Sequence, residues 1–162
     1  MRLTHLADYA VVIMTAAARR DAGARLSASE LAQETGVPLP TTQKLMGRLA
    51  AEGLLTSARG VSGGFALARP AEAITLADIV EAVEGKAQTF VCNNIRANNP
   101  CRPHDYCESS PCAVARVMWE ADEAWRQKLR SVSFSDLIET LARDIPPDLW
   151  KNSSEWVLER AG

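Results

Sequence analysis

Four cysteines, Cys92, Cys101, Cys107 and Cys112, lie in one stretch of the chain with eight, five and four residues between neighbours. Thiolates ligate zinc and iron–sulfur clusters, and they are the nucleophiles of thiol–disulfide exchange. No pair is C-x-x-C, so the spacing of a zinc ribbon or a dithiol redox catalyst is missing. Tetrahedral zinc stays open without that support. An iron–sulfur cluster is larger than one ion, suits wider spacing, and takes its thiolates from a single loop. Polar loop residues would supply N–H donors to its sulfurs. His104 lies between Cys101 and Cys107, and imidazole replaces thiolate in some clusters; an exposed histidine without a role is the plainer reading. Asp8, near the N-terminus, offers an oxygen ligand or simply complements the positive end of a helix.

A second chemistry comes from charge. The chain as a whole carries −2, yet Val37–Arg69 holds Lys44, Arg48, Arg59 and Arg69 against Glu52 alone, a local +3. A local basic face is the footprint of a nucleic-acid partner even in an acidic chain.

The elements that must position these groups follow from periodicity and capping. A first helix is expected from His5 to Arg20, capped by Thr4, with Leu6, Tyr9, Ala10, Ile13, Met14 and Ala17 on its buried side. A second runs from Ala28 to Thr35, with Ser27 and Glu30 forming a capping box and Gly36 ending it. A third starts near Leu39 or Pro40, buries Leu45, Leu49 and Ala50, and stops at Gly53. Two short helices joined by a tight glycine-containing turn are the helix-turn-helix signature. Two strands, Leu54–Ala58 and Gly64–Ala68, then flank a glycine-rich loop carrying Arg59, which predicts a hairpin wing. Thr75 caps a helix with Leu76, Ile79, Val80 and Val83 as its stripe. Residues 85–112 show no apolar period and are too long for an ordinary connection. Ala113 to about Ser131 is a long helix whose seam of Val114, Met118, Ala121, Trp125 and Leu129 calls for a partner. Ser135 is expected to cap a short helix reaching Leu141. Pro146-Pro147 ends regular structure, before a tail with Trp150 and Trp156.

In a helix-turn-helix the second helix enters the major groove. Thr41, Thr42, Gln43 and Lys44 are therefore the candidates for base edges, since Gln pairs with adenine and Lys reaches guanine or phosphate. Arg48, one turn on, suits a phosphate. Arg59, beside glycines that permit close approach, suits a minor groove.

The length of 162 residues fits about one domain, and 47% hydrophobic with 23% charged residues is ordinary globular composition. This excludes collagen-like and largely disordered chains. Ala10–Ala18 has the order of a signal peptide behind Arg2, but Asp8 and the following Arg19-Arg20-Asp21 make it an amphipathic helix. The cytoplasm is the expected compartment, with no membrane partner and no small-molecule substrate. In that compartment cysteines serve metals or redox chemistry more than structural disulfides. No nucleophile elbow or phosphate loop points to an enzyme.

These pieces together resemble the iron–sulfur cluster regulators of the IscR type. The resemblance is carried by Met1-Arg2-Leu3-Thr4, Asp8-Tyr9-Ala10-Val11, the Leu45–Leu55 segment, the Arg59-Gly60 to Gly63-Gly64 wing, the Thr75-Leu76 helix start and a cysteine loop before a long helix. It spans about residues 1–140. It implies a mainly α fold with a small β-hairpin wing: a winged helix-turn-helix plus a long dimerisation helix. It further implies a homodimer on a double-stranded DNA operator, with a [2Fe-2S] or [4Fe-4S] cluster held by three cysteines and a variable fourth ligand. In some relatives that ligand is an acidic residue early in the first helix, supplied across the dimer, which corresponds to Asp8. The implied division is 1–84 for DNA binding, 85–112 for the cluster, 113–143 for dimerisation and a short helix, and 144–162 as a tail. The chain departs from the pattern in having four loop cysteines rather than three, Pro38 and Pro40 at the recognition-helix start, and the tryptophan-bearing tail. A clusterless thiol–disulfide switch on the same scaffold is the rival reading.

Overall fold

The computed structural model describes residues 3–20, 24–60, 63–86, 90–101 and 111–148. The first helix, α1 (His5–Ala18), begins where the Thr4 hydroxyl accepts the Leu6 N–H at 3.2 Å. It ends two residues short of the expected Arg20, and buries Ala10, Ile13, Met14 and Ala17. The next helix, α2 (Ala28–Thr35), forms both halves of the Ser27–Glu30 capping box and closes on Gly36 in the left-handed region at φ 73°. An L-residue with a Cβ adopts that region only at a cost, which is why glycine ends the helix there. The third, α3 (Leu39–Ala51), starts on Pro38-Leu39-Pro40, since proline fits a first turn whose N–H groups lack partners anyway.

Strands β1 (Leu55–Ala58) and β2 (Gly64–Leu67) pair antiparallel, from Leu55 opposite Leu67 to Ala58 opposite Gly64. Leu26 adds an isolated antiparallel bridge to β2 by exchanging two hydrogen bonds with Phe65, at 2.9 and 2.8 Å. Gly64 makes this close approach feasible: a Cβ there would lie 2.8 Å from the Leu26 carbonyl oxygen, and its φ is +142°.

Helix α4 (Leu76–Glu84) is capped by Thr75, whose partner Asp78 completes a second capping box. A 3-10 turn at Ile95–Asn98 lies in the cysteine segment. Then come α5 (Ala113–Arg130) and α6 (Phe134–Asp144). The cap of α6 is Ser133, whose hydroxyl accepts the Asp136 N–H at 3.1 Å, and not Ser135. The difference arises because Phe134 is the first residue of the helix and is fully buried. Its N–H donates to the Ile74 carbonyl at 2.7 Å, and Leu76 N–H donates to Val132, so the α5–α6 turn is stitched to the start of α4.

The core gathers Ile13, Met14, Leu31, Leu45, Met46, Leu49, Leu54, Ile74, Ile79 and Phe134, all essentially inaccessible. Each such side chain contributes about 1.5–3 kcal/mol on burial. The architecture is thus mainly helical with a two-stranded wing, as the periodicity predicts. No described helix is long and apolar enough to cross a membrane. The turn at 21–23, the wing tip at 61–62 and the tail from 149 onward, with Trp150 and Trp156, lie outside the described residues.

Hydrogen bonds from Ser27, side chain first and backbone second, hold the Glu30 carboxyl below its ordinary range. A carboxylate of lowered pKa stabilises the fold above its unfolded-state pKa and loses that contribution as pH falls through the folded one. Ser27→Ala should therefore destabilise by about 1 kcal/mol at neutral pH. The penalty should shrink in acid, which urea unfolding at neutral and acidic pH measures.

Candidate nucleic-acid interface and cysteine segment

The amphipathic pattern of α3 sorts its residues into two sides. Thr42, Leu45, Met46 and Leu49 face the core. Gln43, Lys44 and Gly47 are exposed, Thr41 is half-buried, and Leu39 and Pro40 continue the outer side. Of the residues expected at base edges, Thr42 does not join the others. It is fully buried, and its hydroxyl donates to the carbonyls of Val37 at 3.2 Å and Pro38 at 3.3 Å. Its role there is to satisfy the turn into α3, because a buried hydroxyl and an unpaired carbonyl each need a partner.

Arg48 also departs from expectation. Its Nη1 donates to the Val83 carbonyl at 2.8 Å, on the protein side of the helix. Arg69, counted in the local positive charge, pairs with Asp78 at 3.2 Å, and Glu52 with Lys86 at 3.1 Å. Lys44 and Arg59 are exposed, and no ion pair to either is found among the described residues. Arg59 directly follows β1, ahead of Gly60. Gly63 donates to the Gly60 carbonyl at 2.9 Å, and a Cβ at Gly63 would lie 2.6 Å from the Ala58 oxygen. The wing turn therefore closes tightly beside Arg59. Sequence reasoning missed Arg25, whose guanidinium donates to the Gly64 carbonyl at 3.2 Å and so sets a second cation against the wing. The helix-turn-helix itself is braced by Arg20 and Glu34 at 2.8 Å, joining the end of α1 to α2. Burial pushes the Glu34 carboxyl above its ordinary range, while Arg20 opposes the shift.

In the cysteine segment, Cys92 and Cys101 are exposed and in no disulfide, and Cys112 is half-buried. Cys107 and His104 lie outside the described residues. Asp8 is exposed in the first turn of α1. Among the described residues no three Cys, His, Asp or Glu side chains converge as a metal site. Cys112 has a structural duty of its own: its Sγ caps α5 by accepting the Ala115 N–H at 3.2 Å. Trp119 Nε1 donates to the Phe90 carbonyl at 3.3 Å, holding the start of the segment against α5.

The long helix splits the expected seam between two sides. Its protein-facing side is Ala115, Asp122 and Arg126, with Trp119, Trp125 and Leu129 half-buried. Arg126 bonds Asp122 at 3.2 Å and Glu81 of α4 at 2.9 Å. Of the expected seam, Val114 and Met118 stay outside, 64% and 42% exposed, with Val117 beside them at 61%.

Residues 3–140 match the model of the Rrf2 family, described as an iron-dependent transcriptional regulator. The chain is 30% identical over 139 residues to the protein rrf2 of Nitratidesulfovibrio vulgaris, covering 85% of this chain and 87% of that one. It is 27% identical over 140 residues to the transcriptional regulator IscR of Xenorhabdus nematophila, covering 86% and 80%. Its fold is similar to the crystal structure of the oxidized form of Staphylococcus aureus CymR, with a TM-score of 0.62 and 25% identity over 86% of this chain and 97% of that one. The family is one of transcriptional regulators, and α2, α3 and the hairpin of this chain form a winged helix-turn-helix. The chain belongs to the Rrf2 family of DNA-binding transcriptional regulators.

Proposed function

We propose that this protein is a homodimeric, cytoplasmic transcription regulator whose grip on duplex DNA is set by an iron–sulfur cluster, [2Fe-2S] or [4Fe-4S]. The observation that carries the reading is the state of Cys92 and Cys101, two exposed cysteines in no disulfide on the segment between α4 and α5. The donor chemistry suits the group: soft sulfur ligands, two of them exposed, and a third sulfur already receiving a backbone N–H. When bound, the cluster supplies a redox-active, thiolate-ligated iron centre. Cys92, Cys101, Cys107 and Cys112 are the proposed ligands, with Asp8 and His104 as alternatives for a fourth position. Ligation by these residues ties the two ends of the segment together. The chain leaving α4 and the cap of α5 then become one constrained unit.

In this reading residues 1–84 bind DNA. Gln43 and Lys44, flanked by Thr41, meet base edges in the major groove, and Arg59 enters the minor groove. Residues 85–112 hold the cluster. Residues 113–143 pair the protomers through the outer strip of α5 with Val114, Val117 and Met118, whose exposure in a single chain leaves apolar area for a second copy. Residues 144–162 form a tail without an assigned role. Half-sites about 34 Å apart make the spacing between the two α3 helices decisive for affinity.

A thiol–disulfide switch is the second reading. It is favoured by the exposure of Cys92 and Cys101 in one segment and by the likeness to the oxidized form of CymR. Protein purified without oxygen separates the two. The cluster reading expects iron and acid-labile sulfide with visible absorption, both lost in Cys101→Ala and in Cys107→Ala. A colourless, iron-free protein that gains a disulfide on mild oxidation supports the switch instead. Arg59→Ala should weaken operator binding by about 1–3 kcal/mol. Titration at matched salt checks this, and unchanged affinity means the wing does not touch DNA.

A further inference from the structure

Arg48 occupies a position that a helix-turn-helix gives to a DNA phosphate, yet its guanidinium is committed elsewhere. Nη1 donates to the Val83 carbonyl at 2.8 Å. Val83 lies in the last turn of α4, where carbonyls have no intrahelical donor and carry the negative end of the helix. Arg48 thus caps a neighbouring helix. At the end of α3, Glu52 Oε2 accepts from Lys86 Nζ at 3.1 Å. Both ties run from α3 to the same short piece of chain, across a cleft of about 390 Å³ lined by Arg48, Glu52, Val83, Glu84 and Lys86.

That piece of chain is also the root of the cysteine segment. Gly85 leaves the helix at φ 88°, and Lys86 follows directly. We propose that Arg48 and Glu52 are positioning residues for DNA reading. They hold the C-terminal half of α3 to the last turn of α4, fix the pitch of the face bearing Gln43 and Lys44, and do not themselves contact DNA. A displacement of the segment root reaches the recognition helix through these two contacts. The inference rests on α3 being the helix that meets DNA and is independent of the cluster.

The two roles differ in salt dependence. Losing one phosphate contact lowers the slope of log affinity against log salt by about 0.9 and weakens all duplexes alike. Losing a positioning contact leaves the slope intact and erodes discrimination. The probes are the tightest duplex selected from a randomised library and a scrambled duplex. Arg48→Met should keep the wild-type slope while the affinity ratio between the two duplexes falls roughly tenfold, the scale of one base contact. Glu52→Gln, at an exposed site that leaves the core intact, should lower the ratio in the same direction. Partial unfolding would weaken both duplexes equally, so a ratio that stays constant in both variants overturns the proposal. So does a slope reduced by about 0.9 in Arg48→Met. Gln43→Ala and Lys44→Gln run in parallel: if neither alters binding, the assignment of α3 to DNA fails, whereas normal effects there with a phosphate-like Arg48 sink this inference alone.

Discussion

The last turn of α4 is where the molecule is tied together. Its carboxylates and its unsatisfied carbonyls are acceptors, and every neighbouring helix sends a donor to them. Glu81 takes Arg126 from α5 at 2.9 Å, the Val83 carbonyl takes Arg48 from α3 at 2.8 Å, and Glu84 takes the Thr4 N–H at the start of α1 at 2.8 Å. One residue past the helix, Lys86 returns a cation to Glu52. A helix C-terminus is electrostatically suited to gather cations and N–H groups in this way. The cysteine segment departs from this turn, so whatever constrains the segment acts where α3, α5 and the start of α1 are all held.

The long helix shows how polar burial shapes the assembly. Asp122 and Arg126 are nearly inaccessible, and together with Glu81 they form an ion-pair network between α4 and α5 that Arg130 joins at 3.7 Å from Glu81. Desolvation offsets much of the attraction in such a set, so its contribution lies in orientation more than in stability. Arg126 also lies 5.9 Å above the Trp125 ring, which fixes its stem. With the charged side turned inward, Val114, Val117 and Met118 are left facing out. An apolar strip on a charged helix is what a second copy would cover, and the inward ion pairs set which strip that is.

Much of this was readable in the residues, and the failures have physical causes. Ser27-Glu30, Thr75 and the glycines at 36 and 53 fix local geometry through hydrogen bonds and sterics that operate within a few residues, so the ends of α2, α3 and α4 are legible in the residues. Thr42 was placed on the DNA side because a hydroxyl counts as polar in any pattern; its inward bonds to Val37 and Pro38 depend on the turn's three-dimensional path. The bond of Arg48 to the Val83 carbonyl leaves no mark in any pattern, because its partner is a backbone atom remote in sequence. The seam of α5 is legible as an apolar row, but not the inward side beside it, because that side carries Asp122 and Arg126 where a pattern of apolar residues marks burial. The cysteine segment has no period at all, so spacing named its donors while leaving their arrangement undetermined, and the described thiols do not converge by themselves.

If the segment is the sensor and the root of α4 its transmitter, DNA affinity must depend on what the thiols hold. The direct measurement is a titration of one selected duplex, at fixed salt and without oxygen, by a single preparation before and after its iron is stripped with a chelator. The affinity should change by tenfold or more, equivalent to about 1.4 kcal/mol. Identical binding curves for the iron-loaded and stripped protein would contradict control of DNA reading by the cysteine segment.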